Sequence, residues 1–217
     1  MPKPMAGVSM LQKIARSLNI LLLCMVLDSM PSFGAENGTE SGAEILPPQG
    51  ATGTEAISFE NDVIKLRLRP RTTQQMAAFF EARGFPQAMR QRLAKYCFMT
   101  VVMKNKSTDV VWLELDNWRF QSAHGSVERI PRSHWPPLWQ QMHIPLAAQS
   151  TFRWTLLPER LDFQPQEGEG GNILLVPIKA TFALRARFAV GKDKRTAFNI
   201  HVSNLRCVSD PEREERL

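Results

Sequence analysis

Residues 97–120 have the sequence CFMTVVMKNKSTDVVWLELDNWRF, and the fold prediction starts from this stretch. Every other residue from Cys97 to Met103 is apolar, which is the pattern of a β-strand with one face in a core. The polar residues 105–109 then suit a hairpin or a connection between two sheets. Apolar residues alternate again up to Leu115, which places Trp118 on the opposite face. The stretch therefore predicts two strands at the centre of a β-sandwich.

The rest of the chain extends this pattern in both directions. Residues 57–69 predict one strand that ends at Pro70, and residues 182–202 predict a hairpin. Between the first strand and Cys97, apolar residues at helical spacing predict a helical insertion at about 72–96. Residues 164–172 are rich in Gly and Glu, which is typical of a loop, and the short run at 173–178 predicts an edge strand.

The fold class that follows is mainly β. We predict an immunoglobulin-like antiparallel β-sandwich of about seven strands, because many short strands separated by Gly/Pro turns are typical of that architecture. The order of strand, Asn-x-Ser turn, strand and later hairpin resembles many exported immunoglobulin-like domains, which is a likeness of fold and not of activity.

Four segments of the chain differ in composition. Residues 1–35 have positive charges, an eight-residue apolar run at 20–27 and small residues near position 35, which together predict a signal peptide. The run is too short to span a membrane as a helix. Residues 36–56 predict a disordered acidic linker, 57–208 a single β-sandwich domain and 209–217 a charged tail. We therefore expect a periplasmic or secreted protein.

Two cysteines, Cys97 and Cys207, remain after removal of the leader. An oxidising compartment favours a disulfide between them. The alternative is that both thiols are free and serve as metal or redox ligands.

Cations alternate with core residues in several predicted strands. The chain carries a net charge of +6, and residues 63–208 hold 22 Lys and Arg against 10 Asp and Glu. The predicted 152–156 strand has Phe152, Trp154 and Leu156 facing inward and Arg153 outward. The sequence leaves open whether the outward cations form one patch or only solvated faces. They are Lys65, Arg67, Arg69, Arg153, Arg185 and Arg187.

No motif of a hydrolase, a phosphate loop or a zinc site occurs in the chain, so we expect a protein that is not an enzyme and needs no cofactor. The preferred hypothesis is an exported binding or assembly module that contacts an envelope protein or an anionic surface. It would use the basic sheet face and a Trp-rich loop with Trp135 and Trp139. The export signal argues against nucleic acid, and contact with a membrane would be peripheral at most.

A second hypothesis is a periplasmic copper-handling protein. Met99 and Met103 share a strand face with Cys97, and soft sulfur ligands select Cu(I). Methionine is equally a common core residue, and the histidines lack the spacing of metal ligands. No metal site is assigned on this basis.

Overall fold

The structure is a computed structural model, and it describes residues 54–208. The predicted signal peptide, most of the acidic linker and the charged tail lie outside the described residues. Between residues 54 and 208 the protein is mainly β, and its strands form antiparallel sheets.

The first sheet has five strands, all paired antiparallel. In spatial order they are β1 (Ile57–Glu60), β2 (Ile64–Arg71), β3 (Cys97–Asn105), β9 (Gly168–Leu175) and β7 (Arg129–Ile130). The predicted strand at 57–69 is thus a hairpin of two strands. Pro70 lies within β2 rather than ending it, because β1 pairs with β2 only as far as Leu68 and leaves the outer edge at Pro70 uncovered.

The second sheet has six strands, with β10 near its centre. Its strands are β4 (Val111–Glu114), β5 (Trp118–Ser122), β6 (Gly125–Val127), β8 (Arg160–Phe163), β10 (Phe182–Val190) and β11 (Thr196–Leu205). β10 pairs with β11 along one edge, as the predicted hairpin requires, and with β5 and then β4 along the other. The described residues form eleven strands rather than about seven. The number is higher because some predicted strands divide into two and because segments predicted as loops also form short strands.

The two sheets pack face to face around one core. Leu66 and Val101 from the first sheet and Leu113 and Phe188 from the second are all fully buried in a single hydrophobic cluster. The alternation that predicted the core face of β3 is confirmed, since Met99 and Met103 also belong to this cluster. Burial of such side chains stabilises the fold by roughly 1.5–3 kcal/mol each.

The β3–β4 connection carries the chain from one sheet to the other. The sequence left open a hairpin or a connection between two sheets, and the structure shows the second. Asn105 is completely buried at this corner. Its side-chain amide donates to the carbonyl oxygens of Asp109, Phe163 and Gln164 at 2.7, 3.0 and 3.1 Å. Its Oδ1 accepts from the backbone N–H of Ser107 at 2.9 Å, so this buried polar group is fully hydrogen-bonded.

Trp118 lies inside the core and not on the predicted outer face, with 3% of its surface exposed. The segment Leu115–Asn117 forms one turn of 3-10 helix between β4 and β5. This turn breaks the period-2 pattern of the preceding strand, so the inward and outward positions are exchanged after it.

Four helices form a layer on the outer face of the first sheet. They are α1 (Thr73–Glu81), α2 (Gln87–Leu93), α3 (Trp135–Gln141) and α4 (Leu146–Thr155). The helical insertion at 72–96 is confirmed, and Thr72 and Gln75 form a capping box at the start of α1. A second hydrophobic cluster joins this layer to Phe98, Ile130 and Leu174 of the sheet.

The predicted strand at 152–156 is wrong, because residues 152–155 belong to α4 and Leu156 is its C-terminal cap. Phe152 and Leu156 are buried, while Trp154 is 84% exposed. Ala148, Phe152 and Leu156 are spaced by four residues, which is the helical period, and Ala148 packs against the second cluster. The alternation across 152–156 matched a strand only because four is also a multiple of two.

The predicted loop at 164–172 is also wrong in its second half. Gly168–Leu175 form β9, which lies between β3 and β7 and is not an edge strand. A Cβ at Gly171 would lie 2.5 Å from the backbone nitrogen of Leu157. The glycine content of β9 therefore reflects the close approach of the chain that follows α4.

Cys97 and Cys207 are paired as a disulfide in the structure, with their Cα atoms 5.5 Å apart. The pair joins the start of β3 to the residues after β11, across a sequence separation of 110 residues. The predicted pairing is thus compatible with the fold geometry.

Candidate anion-binding surfaces

The predicted basic positions do not form one patch. Lys65, Arg67 and Arg69 project from the outer face of the first sheet, on β2. Arg185 and Arg187 are exposed on β10, on the outer face of the second sheet. The two strands belong to different sheets, whose inner faces share one core. The two rows are therefore not neighbours within one sheet.

Arg153 belongs to neither row, because it lies on α4. Its side chain is exposed and lines a cleft between α3 and α4. The prediction of its outward direction was right, but the element was wrong.

Trp135 and Trp139 cannot serve as exposed contacts for a partner. They are 2% and 1% exposed. The two indoles stack with ring centroids 5.2 Å apart, and both pack edge-on against Phe152. Their prediction as partner-binding residues was wrong, because the segment at 135–141 is a helix that buries this face.

The cationic row is the set of basic residues on the outer face of the first sheet. It consists of Lys65, Arg67, Arg69 and Arg71 of β2 and Lys104 of β3. Arg71 was missed because Pro70 was expected to end the strand. Lys104 was missed because the sequence does not show that it pairs with Lys65 across β2 and β3. Consecutive cations on one strand face are about 6.8 Å apart, so the β2 part of the row spans about 20 Å.

A single carboxylate on β1 balances one end of this row. Glu60 accepts ion pairs from Lys106 at 2.7 Å and Lys65 at 2.8 Å. The hydrogen bonds from Lys106 and Lys65 lower the pKa of Glu60 to about 2. Among the described residues, Arg67, Arg69 and Lys104 form no ion pair, so the central part of the row is uncompensated.

The row ends at a cleft of about 530 Å³ between α1 and α4, called here the α1–α4 cleft. Arg71 and Arg83 line it, together with Phe79 and the exposed Trp154. The Arg83 guanidinium lies over the Phe79 ring, 3.6 Å from its centroid. No acidic side chain lines this cleft.

Arg71 is held at the floor of the α1–α4 cleft by a chain of hydrogen bonds. Its Nε donates to Thr100 Oγ1 at 2.9 Å, and that hydroxyl donates to Asn172 Oδ1 at 2.8 Å. Asn172 Nδ2 in turn donates to the carbonyl of Thr155 at 3.1 Å. Desolvation and the nearby charge of Arg69 lower the pKa of Arg71. This guanidinium is therefore oriented, and it has no carboxylate partner among the described residues.

A larger cleft, of about 810 Å³, lies between α3 and α4 and is called the α3–α4 cleft. Its lining is largely apolar, with Trp139, Phe152 and Leu156 among the residues that form it. Three arginines line it as well, at positions 132, 153 and 160, against the single carboxylate of Glu159.

The carboxylate of Glu159 is already engaged. Its oxygens contact the Arg129 guanidinium at 2.9 and 3.0 Å, and one of them accepts from the backbone N–H of Arg132 at 2.7 Å. The Arg132 guanidinium instead donates through Nη2 to the carbonyl of Leu156. Burial, followed by the nearby charge of Arg153, lowers the pKa of Arg132. The charges of Glu159 and Glu169 act in the opposite direction on Arg132, and Arg153 forms no ion pair among the described residues.

Three buried N–H donors in the walls of the α3–α4 cleft have no hydrogen-bond partner. They are Arg132 Nε, Trp135 Nε1 and Trp139 Nε1. Buried donors in proteins are almost always paired. Three further unpaired donors lie elsewhere among the described residues, on Arg90, Arg92 and Trp118, so this cleft holds half of them. The sequence could not indicate them, because the indoles were expected at the surface.

The residues invoked for copper are otherwise occupied. Met99 and Met103 are 0% and 1% exposed in the core between the sheets, and Cys97 is paired with Cys207. Between residues 54 and 208, His, Cys, Asp and Glu side chains form no group of three that could hold a metal ion. Within the same range, no helix is both long and apolar enough to cross a membrane.

No family model matches the chain, and no curated protein matches it. Among solved structures, the chain is similar to the crystal structure of ycdA, a candidate lipoprotein from Bacillus subtilis subsp. subtilis str. 168, at 10% identity and a TM-score of 0.36. The similarity covers 68% of this chain and 38% of that chain. A TM-score of this size carries no argument about fold or function.

Proposed function

We propose that the protein is an exported, non-enzymatic binding module that holds an acidic segment of an envelope protein on the cationic row. The observation that carries the proposal is the run of cations at 67, 69, 71 and 104, none of which has a carboxylate partner among the described residues. Such a row attracts an oppositely charged partner and increases its association rate.

An extended peptide suits this surface better than a compact anion. The alternate side chains of an extended chain repeat at about 6.8 Å, which is the spacing of the cations on β2. The α1–α4 cleft at the end of the row adds Phe79 and Trp154, which can hold one apolar side chain of the same peptide. Aromatic residues and arginine are the types that dominate such contacts.

The exported and non-enzymatic parts of the proposal rest on the sequence. Residues 1–35 have the three-part composition of a signal peptide, and the chain lacks catalytic motifs. Fusion of residues 1–35 to alkaline phosphatase, which is active only after export, tests the first part. We expect activity with the wild-type leader and none when the apolar run at 20–27 is replaced by polar residues.

We also propose that the domain is immunoglobulin-like in its strand order. The order β2-β3-β9-β7 corresponds to A-B-E-D of that fold, and β11-β10 with β5 corresponds to G-F-C. The helical layer and β8 are then insertions, and β1 is an addition before the first strand. Immunoglobulin-like domains commonly serve as binding modules, but the fold alone specifies no partner.

The cationic row is tested by two double charge reversals of equal net charge. The test variant is Arg67→Glu with Arg69→Glu, and the matched control is Arg185→Glu with Arg187→Glu on the opposite sheet. The probe is a fluorescently labelled peptide of about ten residues with Glu at alternate positions and one Phe near its end. We expect the test variant to bind the peptide at least about tenfold more weakly and the control variant to bind within about twofold of wild type.

Three results would overturn this assignment. Equal loss in both variants would mean that only net charge matters, and no loss in either would remove the row from binding. Tighter binding to heparin or to phosphatidylglycerol vesicles than to the peptide would assign the row to an anionic surface instead of a protein.

A further inference from the structure

We infer that the α3–α4 cleft is a second, separate site, which binds a small amphipathic anion: a single acidic head group on a hydrocarbon body. Its volume of about 810 Å³ lies within the usual range of small-molecule sites. It shares no lining residue with the cationic row. The site therefore goes beyond the proposed function and does not depend on it.

The acidic head is specified by the charges of the cleft. Arg132 and Arg153 are close enough for the charge of Arg153 to lower the pKa of Arg132. Glu159 offsets this repulsion only in part, because its oxygens are bonded to Arg129 and to the backbone N–H of Arg132 and form no ion pair with either guanidinium group. A carboxylate or phosphate between the two guanidinium groups would relieve this repulsion and form charge-assisted hydrogen bonds.

The hydrocarbon body is specified by the rest of the lining. Phe152 and Leu156 form part of the wall, and Leu146, which is 81% exposed, stands at the cleft. Pro136 and Pro158 add rigid apolar surface without adding donors. A fully hydrophilic anion would leave these apolar groups exposed to water, whereas an alkyl chain would cover them, which is favourable.

The unpaired donors explain why an acceptor is favoured over an apolar occupant alone. A buried N–H without a partner is unfavourable, because it has lost its hydrogen bonds to water and gained none in the protein. Arg132 Nε and the two indole Nε1 atoms carry this cost around the same cleft. An acidic head in the cleft supplies the acceptor oxygens that these three residues lack, whereas an alkyl chain supplies none.

Calorimetric titration of the mature protein with three probes tests the ligand class. Laurate carries both the hydrocarbon chain and the negative charge. Dodecanol carries the chain alone, and acetate carries the charge alone. We expect laurate to bind at least about tenfold more tightly than either of the others. Equal binding of laurate and dodecanol, or equal binding of laurate and acetate, would overturn the proposal.

Variants locate the site. Arg153 is exposed on α4, so Arg153→Glu leaves the core intact, and Arg67→Glu on the cationic row is its matched control. We expect Arg153→Glu to weaken laurate binding about tenfold or more and Arg67→Glu to leave it within about twofold. The opposite order, or no effect of Arg153→Glu, would exclude the cleft. A failed peptide test of the cationic row leaves these results unchanged, so the two proposals fail separately.

One further arm identifies the source of the ligand. Phosphatidylglycerol vesicles are added to the laurate complex, and bound laurate is measured after the vesicles are sedimented. Co-sedimentation of the wild-type protein, but not of Arg153→Glu, would identify a lipid head group as the anion. Retention of laurate on unsedimented protein would identify a free acid.

Discussion

The cationic row and the α3–α4 cleft both gather arginines, but they differ in how far water reaches them. In the row, the side chain of Lys65 is 54% exposed and Arg67 is exposed on a flat sheet. In the cleft, Arg132 is partly buried and its Nε is closed to solvent. Exposed charges attract any oppositely charged partner at long range, whereas buried donors form hydrogen bonds only with an acceptor of matching shape.

The comparison teaches that charge alone does not define a site in this protein. The second sheet carries exposed arginines too, at positions 119, 185 and 187, and Arg119 lines a cleft with Trp118 and Phe120. Two carboxylates, Asp116 and Glu128, also line that cleft, whereas no acidic side chain lines the α1–α4 cleft. The row differs by ending at the α1–α4 cleft, and the α3–α4 cleft differs by its unpaired donors. The first feature is formed in part by α4, and the second by α3 and by Arg132 just before it.

The largest expected effect is the loss of both sites on removal of the disulfide. Cys97 and Cys207 close a sequence separation of 110 residues, for which the chain-entropy model gives roughly 4–5 kcal/mol. We expect Cys97→Ser with Cys207→Ser to lower the free energy of unfolding by about 2–5 kcal/mol in urea titration. The intact bond itself is checked by a mature mass two units below the fully reduced value. Two thiols titratable under native conditions would contradict this prediction.

The next effect separates the two sites. Gly171→Ala places a Cβ within 3 Å of backbone atoms of Leu156 and Leu157, and Leu156 lines the α3–α4 cleft. We expect a loss of about 1–3 kcal/mol in stability and weaker laurate binding. Peptide binding should fall less, because Gly171 lines the α1–α4 cleft but not the cationic row itself. The control is Gly170→Ala, where the nearest atom, Val101 O, is 3.5 Å away. Equal behaviour of the two variants would mean that α4 is not held by this contact.

Salt should distinguish the sites without any mutation. Raising ionic strength from about 0.1 M to about 1 M shortens the screening length from about 10 Å to about 3 Å. We expect peptide binding to the exposed row to weaken by more than about tenfold and laurate binding by less than about threefold. Titrations of both probes in the same buffers measure the difference. Parallel salt dependence would remove the distinction between exposed and buried recognition.

The smallest expected effect concerns Glu60. Because its pKa in the folded protein is lowered to about 2, its ion pairs are present above the ordinary value near 4.5 and are lost as pH falls from there through about 2. We expect a carboxyl titration followed by NMR to give a midpoint near 2. Glu60→Gln should tighten peptide binding at neutral pH by about twofold, because it removes the counter-charge of the row. Weaker peptide binding would mean that Glu60 orders the row instead of neutralising it.

The sequence predicted an element correctly where the signal lies within that element. The alternation from Cys97 to Met103 identified β3, and apolar residues at helical spacing identified the helical insertion at 72–96. The β10–β11 hairpin followed from two alternating runs around Gly191. Each of these signals depends on residues that are neighbours in sequence.

The candidate sites could not be predicted in the same way, because they depend on contacts between distant segments. The pairing of Lys104 with Lys65 is set by the register of β2 and β3. The β-strand at Gly168 looks like a loop because its glycines accommodate the chain at Leu157. Trp135 and Trp139 have the composition of a binding loop, and only the packing of Phe152 against them makes them core residues.

The buried amide of Asn105 has a consequence for expression in a eukaryotic host. Asn105-Lys106-Ser107 is an acceptor triplet for N-linked glycans, which are attached to the side-chain nitrogen of asparagine. In the folded protein that nitrogen is fully enclosed and donates to three carbonyl oxygens. A glycan there can be added only before the corner between the sheets closes, and the modified chain could not then close it. Glycosylation of Asn105 would therefore mark molecules that have failed to fold.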